Sequence, residues 1–221
     1  MVQPFWRNDV MLKTLSWLAL SGAMAGSAAH AADGSALYRA QCAGCHGAAA
    51  LGNAALQAPP LAGTDELYLV RQLSGFRAGH RGGEGAPPPA QTMRAVAQGL
   101  KGDEDIAAVA RVLAQLRPPK AQAEPVTAAQ LGLGRSLYGV CVACHGTAAE
   151  GNRELNAPRL AHLPSWYLAA QLASYRAGTR GAAADDRPGQ QRRQVANEAL
   201  AGLVDVDAVV RYVTTLGRRG R

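Results

Sequence analysis

Aromatic residues make up only 5% of this 221-residue chain, and just two of them are phenylalanine. With so few large rings to bury, a core made of side chains alone stays modest. No stretch alternates apolar and polar residues as a half-buried strand would, so the fold class read from the sequence is all-α. Beyond the N-terminal segment no apolar run is long enough to cross a bilayer. Nor is there a nucleic-acid-binding motif, and no nucleic-acid partner is expected. What is present is 48% hydrophobic and 18% charged, the balance of an ordinary folded protein rather than a disordered one.

The apolar run stands at the start. Arg7 and Lys13 precede Leu15 to Ala25, and small residues then lead to Ala29-His30-Ala31. A basic beginning, a short apolar centre and an A-x-A end read as a signal peptide over residues 1–31, too short in its apolar part to be a retained membrane helix. Met11 opens a more compact version of the same signal, so the start codon could be Met1 or Met11. The mature chain would begin near Ala32 in an oxidising, periplasmic space. Residues 32–124 hold nine basic and eight acidic side chains, whereas residues 125–221 hold twelve and seven. The basic excess of the second half suits acidic protein partners or peripheral contact with an anionic membrane surface; scattered arginines serving only solubility are the plain alternative.

The sequence repeats itself. An offset of 99 lays Cys42, Cys45 and His46 on Cys141, Cys144 and His145, and continues through Ala58-Pro59 on Ala157-Pro158 and Phe76-Arg77-Ala78-Gly79 on Tyr175-Arg176-Ala177-Gly178. This is a tandem duplication. A proline-rich segment, residues 118–125, separates a module over 32–117 from one over 126–221. Thr127 and Gln130 have capping-box spacing ahead of a helix that runs into the second cysteine motif, and Ser35, Leu37 and Tyr38 approach the first. Further helices are expected over Leu67–Arg77 and Tyr167–Arg176. The last helix of each module is expected from the acidic turn Asp103–Asp105, from Ile106, Val109, Leu113 and Leu116, and from Val206, Val209, Val213 and Leu216.

All four cysteines lie in C-x-x-C pairs, each followed at once by histidine. That pattern is the attachment site of c-type haem: two thiols reach the two vinyl groups on one porphyrin edge, and the adjacent imidazole reaches the iron. Cys42, Cys45, Cys141 and Cys144 are therefore the candidate covalent links to two haem c groups, with His46 and His145 as proximal ligands. A disulfide within each pair gives no reason for the histidines. A zinc site shared by the pairs would need half-sites far beyond the usual spacing of about 15 to 20 residues. A thioredoxin-type motif lacks its βαβ setting. A buried macrocycle would also supply the apolar centre that so small a module lacks.

With C-x-x-C-H, A-P-x-L-A, Q-L-x-x-[FY]-R-x-G and the acidic start of the last helix each present twice, the chain resembles the two-haem class I cytochromes c, the cytochrome c-four family, over essentially its whole mature length. The resemblance implies two tandem cytochrome c-like modules and a periplasmic carrier of single electrons between respiratory or dehydrogenase partners. It further implies that the carbonyls of Pro59 and Pro158 accept the second ring N–H of each proximal histidine, and that Met93, after the Pro87-Pro88-Pro89 loop, is the sixth ligand of the first iron. Ligation by His and Met raises the reduction potential.

The second module departs from the pattern. Met93 meets Arg192 at offset 99 and Arg193 at offset 100, and a protonated guanidinium has no lone pair to donate. No methionine or lysine follows Pro125, and the only histidine there besides His145 is His162, on the expected proximal side. The second iron is therefore expected to keep an empty or water-filled sixth position, with nearby arginines able to bond an anionic ligand. The alternative to an electron carrier is accordingly a small-ligand-binding or peroxidase-like haem protein using that position, although no distal acid–base residue is evident and no catalytic residue is assigned. His80 is expected in solvent, Trp166 and Tyr167 in the haem wall, and Arg77 and Arg176 near propionates.

Overall fold

The computed structural model describes residues 32–120, 124–200 and 206–219. The expected signal peptide, and the choice between Met1 and Met11, lie outside them. In the first module α1 (Gly34–Gln41) is capped by Asp33, whose carboxylate accepts from the Ser35 and Ala36 amides at 2.9 and 3.1 Å. There follow α2 (Ala43–His46), α3 (Glu66–Ala78), α4 (Pro88–Gln98) and α5 (Asp103–Gln115), the last opening on three acidic residues that favour a helix N-terminus. The second module repeats the order with α6 (Ala128–Tyr138), α7 (Val142–His145), α8 (Ser165–Arg176), α9 (Arg187–Gln194) and α10 (Val206–Arg219). Thr127 and Gln130 form the expected capping box. Among the described residues there is no strand, only isolated bridges between Asn53 and Ala58 and between Asn152 and Ala157.

Helices α4 and α9 were not expected. The Pro87-Pro88-Pro89 segment reads as a loop in sequence, yet Pro88 and Pro89 form the first turn of α4, where a missing N–H costs nothing and a fixed φ suits the helix. Met93 thus sits on a helix rather than after a flexible loop.

Each module has its own core. Tyr38, Leu69, Val109 and Leu113 anchor one, and Tyr138, Leu168, Val209, Val213 and Leu216 the other; each fully buried aliphatic side chain contributes about 1.5–3 kcal/mol. The first and last helices of each module cross at a glycine. A Cβ at Gly34 would lie 2.1 Å from the Ala108 oxygen, and one at Gly134 2.2 Å from that of Ala208, so no larger residue fits either crossing.

These crossings pair residues 100 apart, whereas the cysteine motifs pair residues 99 apart. A tight 3₁₀ turn over Gly139–Cys141 brings the second module to its motif one residue sooner than the first, where the chain passes straight from α1 through Cys42. A π-helical turn over Val195–Ala199 then adds one residue between the buried pair Ala196 and Leu200 compared with Ala97 and Leu100. A π turn is a single-residue insertion in a helix, so both offsets hold, each in its own part of the module.

The modules meet through polar contacts related by a pseudo-twofold. The Arg81 guanidinium donates to Gln72 at 2.7 Å within its module and to Gln171 at 2.9 Å across the interface. Arg180 mirrors it, to Gln171 at 2.7 Å and Gln72 at 2.8 Å, and also reaches the Tyr68 hydroxyl at 3.1 Å. Arg153 pairs with Asp65 at 2.8 Å, and His80, rather than standing free in solvent, lies 3.4 Å from Asp185 of the second module.

Candidate functional site

The loop after each cysteine motif folds back on its histidine. Gly52, at a φ of 84°, lets the chain pass so close to Ala58–Pro60 that a Cβ there would lie 2.7 Å from the Pro60 nitrogen. The close approach delivers the Pro59 carbonyl to His46, whose Nδ1–H donates to it at 2.8 Å; in the second module His145 donates to Pro158 at 2.9 Å. Burial, partly offset by these hydrogen bonds, holds both imidazoles below their ordinary pKa, and Arg192 lowers His145 further. Each ring is thus neutral with Nε2 unprotonated, the form that binds a metal. Tyr38 and Tyr138 brace the same turns by donating to the Gly47 and Gly146 carbonyls at 2.6 and 2.7 Å.

The four cysteines are free. Burial, reinforced by the neighbouring thiol, pushes Cys42 and Cys141 up to about 11. They are protonated thiols, unlike the low-pKa thiolates of redox motifs and metal sites, and among the described residues no three His, Cys, Asp or Glu side chains converge to hold a metal.

A cavity of about 330 Å³ brings together Cys42, Cys45, His46 and Met93. Its far wall comes from the other module, where Trp166 and Tyr167 line this cavity. His162 faces it too, only 5% exposed and with both ring nitrogens lacking a partner. Burial, with repulsion from Arg159, lowers its pKa to about 4.

The second module differs on the side opposite His145. In the first, the Arg94 guanidinium lies against Gly79, 3.2 Å from where a Cβ would stand; in the second, Arg193 lies against Gly178 at the same distance. Arg193 therefore takes the place of Arg94, and Arg192 that of Met93. Arg192 is held by two backbone carbonyls, of Pro188 at 2.6 Å and Asn156 at 2.5 Å.

The arginines expected near propionates point elsewhere. Arg77 pairs with Asp103, and Arg176 bonds the Ala196 carbonyl at 3.1 Å and that of Leu200, satisfying oxygens at the π turn. Sequence reasoning passed over Arg81 and Arg180, which are buried over Phe76 and Tyr175 with no carboxylate partner among the described residues. The only available signal was their shared place, two residues after each R-A-G.

A tandem of all-α modules, each presenting two unpaired thiols beside a neutral, carbonyl-oriented imidazole, is the frame of a dihaem protein of the c type. The chain belongs to the cytochrome c family, whose family model matches residues 31–117 and again 132–217. It is 33% identical to the thiosulfate dehydrogenase electron acceptor of Stutzerimonas stutzeri (strain A1501) over 94% of this chain and 98% of that one. It is 29% identical to cytochrome c4 of Azotobacter vinelandii over 95% and 99%. Among solved structures, reduced recombinant cytochrome c4 from Pseudomonas stutzeri matches with a TM-score of 0.64 at 27% identity, over 81% of this chain and 95% of that one. Two such modules carry two covalently bound c-type haems, and the protein acts in electron transfer with redox partners rather than as an enzyme. The residues present fit that group: cysteines not tied up in disulfides, imidazoles with a free Nε2, a largely apolar cavity holding a thioether, and the orphaned imidazole of His162 facing into it.

Proposed function

We propose that the chain is a periplasmic dihaem carrier that takes single electrons from a dehydrogenase-type donor and passes them towards a respiratory acceptor. Cys42 and Cys45 hold the first haem and Cys141 and Cys144 the second, within modules over 32–117 and 126–221 joined by residues 118–125. His46 and His145 bind the two irons through Nε2, and Met93 is the second protein ligand of the first. Bound there, each haem supplies a one-electron ferric/ferrous couple. Around it the chain orients and insulates: the Pro59 and Pro158 carbonyls fix each imidazole, Trp166 and Tyr167 close the first cavity from the other module, and buried Arg81 and Arg180 offer cationic partners for propionates. The relative named as the electron acceptor of thiosulfate dehydrogenase makes such a dehydrogenase a reasonable donor. The basic excess of the second half supports docking on an acidic face.

The carrying observation is the convergence of Cys42, Cys45, His46 and Met93 on one cavity. It is tested by denaturing mass measurement and by Met93→Ala. The mass should be that of the chain plus two haems. The variant should lose the methionine-to-iron charge-transfer band and lower the higher of the two potentials by on the order of a hundred millivolts. Extractable haem, or an unchanged spectrum, would overturn the assignment.

A further inference from the structure

The cavity that holds Cys42, Cys45, His46 and Met93 is lined by three guanidinium groups, those of Arg81, Arg159 and Arg180, and by no carboxylate. Arg81 and Arg180 already claim the side-chain oxygens of Gln72 and Gln171. Into the same space, from the second module, faces the imidazole of His162, buried and with neither ring nitrogen bonded. A buried N–H without an acceptor carries its full desolvation penalty, so a ring left in this state implies a partner that the cavity receives.

The ring is set there by its own module. The amides of Leu160 and Ala161 donate to the Ala149 carbonyl at 2.9 and 3.3 Å, and the Leu163 amide donates to the Leu160 carbonyl at 2.9 Å, so the turn carrying His162 is tied on both sides. The first module has no such ring. Gly63 stands in its place, with Pro118 of the linker packed so closely that a Cβ would lie 2.6 Å from the proline Cδ. Burial, then repulsion from Arg159, keeps the His162 ring neutral, with one N–H to give and one lone pair. A haem brings polar atoms to a cavity at only two places, its iron and its propionates. With the iron held by His46 and Met93, the acceptor left for His162 is a propionate.

We propose that His162 is a cofactor-binding residue contributed across the interface, its neutral ring donating an N–H to a propionate of the first module's haem. The proposal rests on the first C-x-x-C-H motif carrying haem with Met93 as the second protein ligand. Arg81, Arg159 and Arg180 balance the carboxylate charge, so the ring stays a neutral donor. The negative charge of a propionate favours ferric iron, and a donor that withdraws part of that charge favours ferrous. The second module thereby raises the potential of the first haem, while glycine at position 63 offers the second haem no matching donor.

The test is potentiometric titration of the holoprotein, followed at the methionine-to-iron charge-transfer band for the first haem and at the Soret band for both. His162→Leu, an apolar residue of similar size, should cut the ferrous-to-ferric ratio of the first haem at a fixed applied potential by about threefold or more, a fraction of the worth of a hydrogen bond to a charged group. The second couple should not move. His162→Gln, which keeps an N–H donor, should recover most of the loss. The propionate bending band in resonance Raman should shift in His162→Leu, a change that a packing role alone would not produce. An unmoved first couple, as when a buried water satisfies the ring, would overturn the proposal. So would an equal shift of both couples, or a glutamine variant as low as the leucine variant. Failure of the haem assignment itself would appear separately, as a missing haem mass, and failure of the methionine assignment as a charge-transfer band absent from the unsubstituted protein.

Discussion

The two modules share helix order, glycine crossings, braced tyrosines and carbonyl-bound histidines, and then part company at one helix. In the first, α4 is a plain α-helix that carries Met93 into an apolar cavity. In the second, α9 brings Arg192 to the same place, and the helix is interrupted by the π turn at Val195–Ala199. The proximal half of each site is thus kept twice over, because thiol spacing and imidazole orientation are fixed by covalent chemistry. The distal half is free to diverge. On the proposed ligand assignment, divergence there would change which ligand an iron takes while leaving its attachment intact, and one fold would hold two unlike redox stations.

The shared part of the comparison is broken most forcefully at the helix crossings. Gly34→Ala and Gly134→Ala each drive a methyl group into a backbone oxygen, and each should cost about 1–3 kcal/mol or more in denaturant unfolding, by similar amounts. A large cost in one module alone would mean that the crossings are not equivalent. Acid sharpens the contrast at His162, whose first-module counterpart is Gly63. The folded protein holds His162 neutral down to about 4, whereas the unfolded chain protonates it near 6.5, so the unfolded state takes up the extra proton in that window. Stability should therefore fall as pH drops from 6.5 to 4 and level off below, by about 3 kcal/mol at most. His162→Gln should flatten that stretch of the stability–pH curve, and an unaltered slope would reject the role. The smallest expected difference lies between two aligned arginines. Arg176→Ala strips hydrogen bonds from the carbonyls at the π turn and should cost about 1–3 kcal/mol, while Arg77→Ala loses a surface pair with Asp103 and should cost below about 1 kcal/mol.

The part of the molecule legible in the sequence is the part ruled by short-range chemistry. C-x-x-C-H needs its thiols and imidazole at fixed spacing, Thr127 and Gln130 cap locally, and the helical periods of α5 and α10 lie within one element, so each announces itself in a few consecutive residues. Helix α4 escaped because three prolines read as a loop, although Pro88 at a first helical position starts a helix. The choice between Arg192 and Arg193 needed the packing of Arg94 on Gly79 and of Arg193 on Gly178. The crossed Arg81, Gln171, Arg180 and Gln72 contacts join residues about ninety or more positions apart and leave no local pattern at all.

The central claim, that the second module keeps its proximal ligand while its distal position is open, is tested most directly by carbon monoxide titration of the reduced holoprotein. We expect uptake by one haem per chain, matched by one high-spin and one low-spin signal when the protein is oxidised. No uptake and two low-spin signals would contradict it and show that a protein group closes both irons.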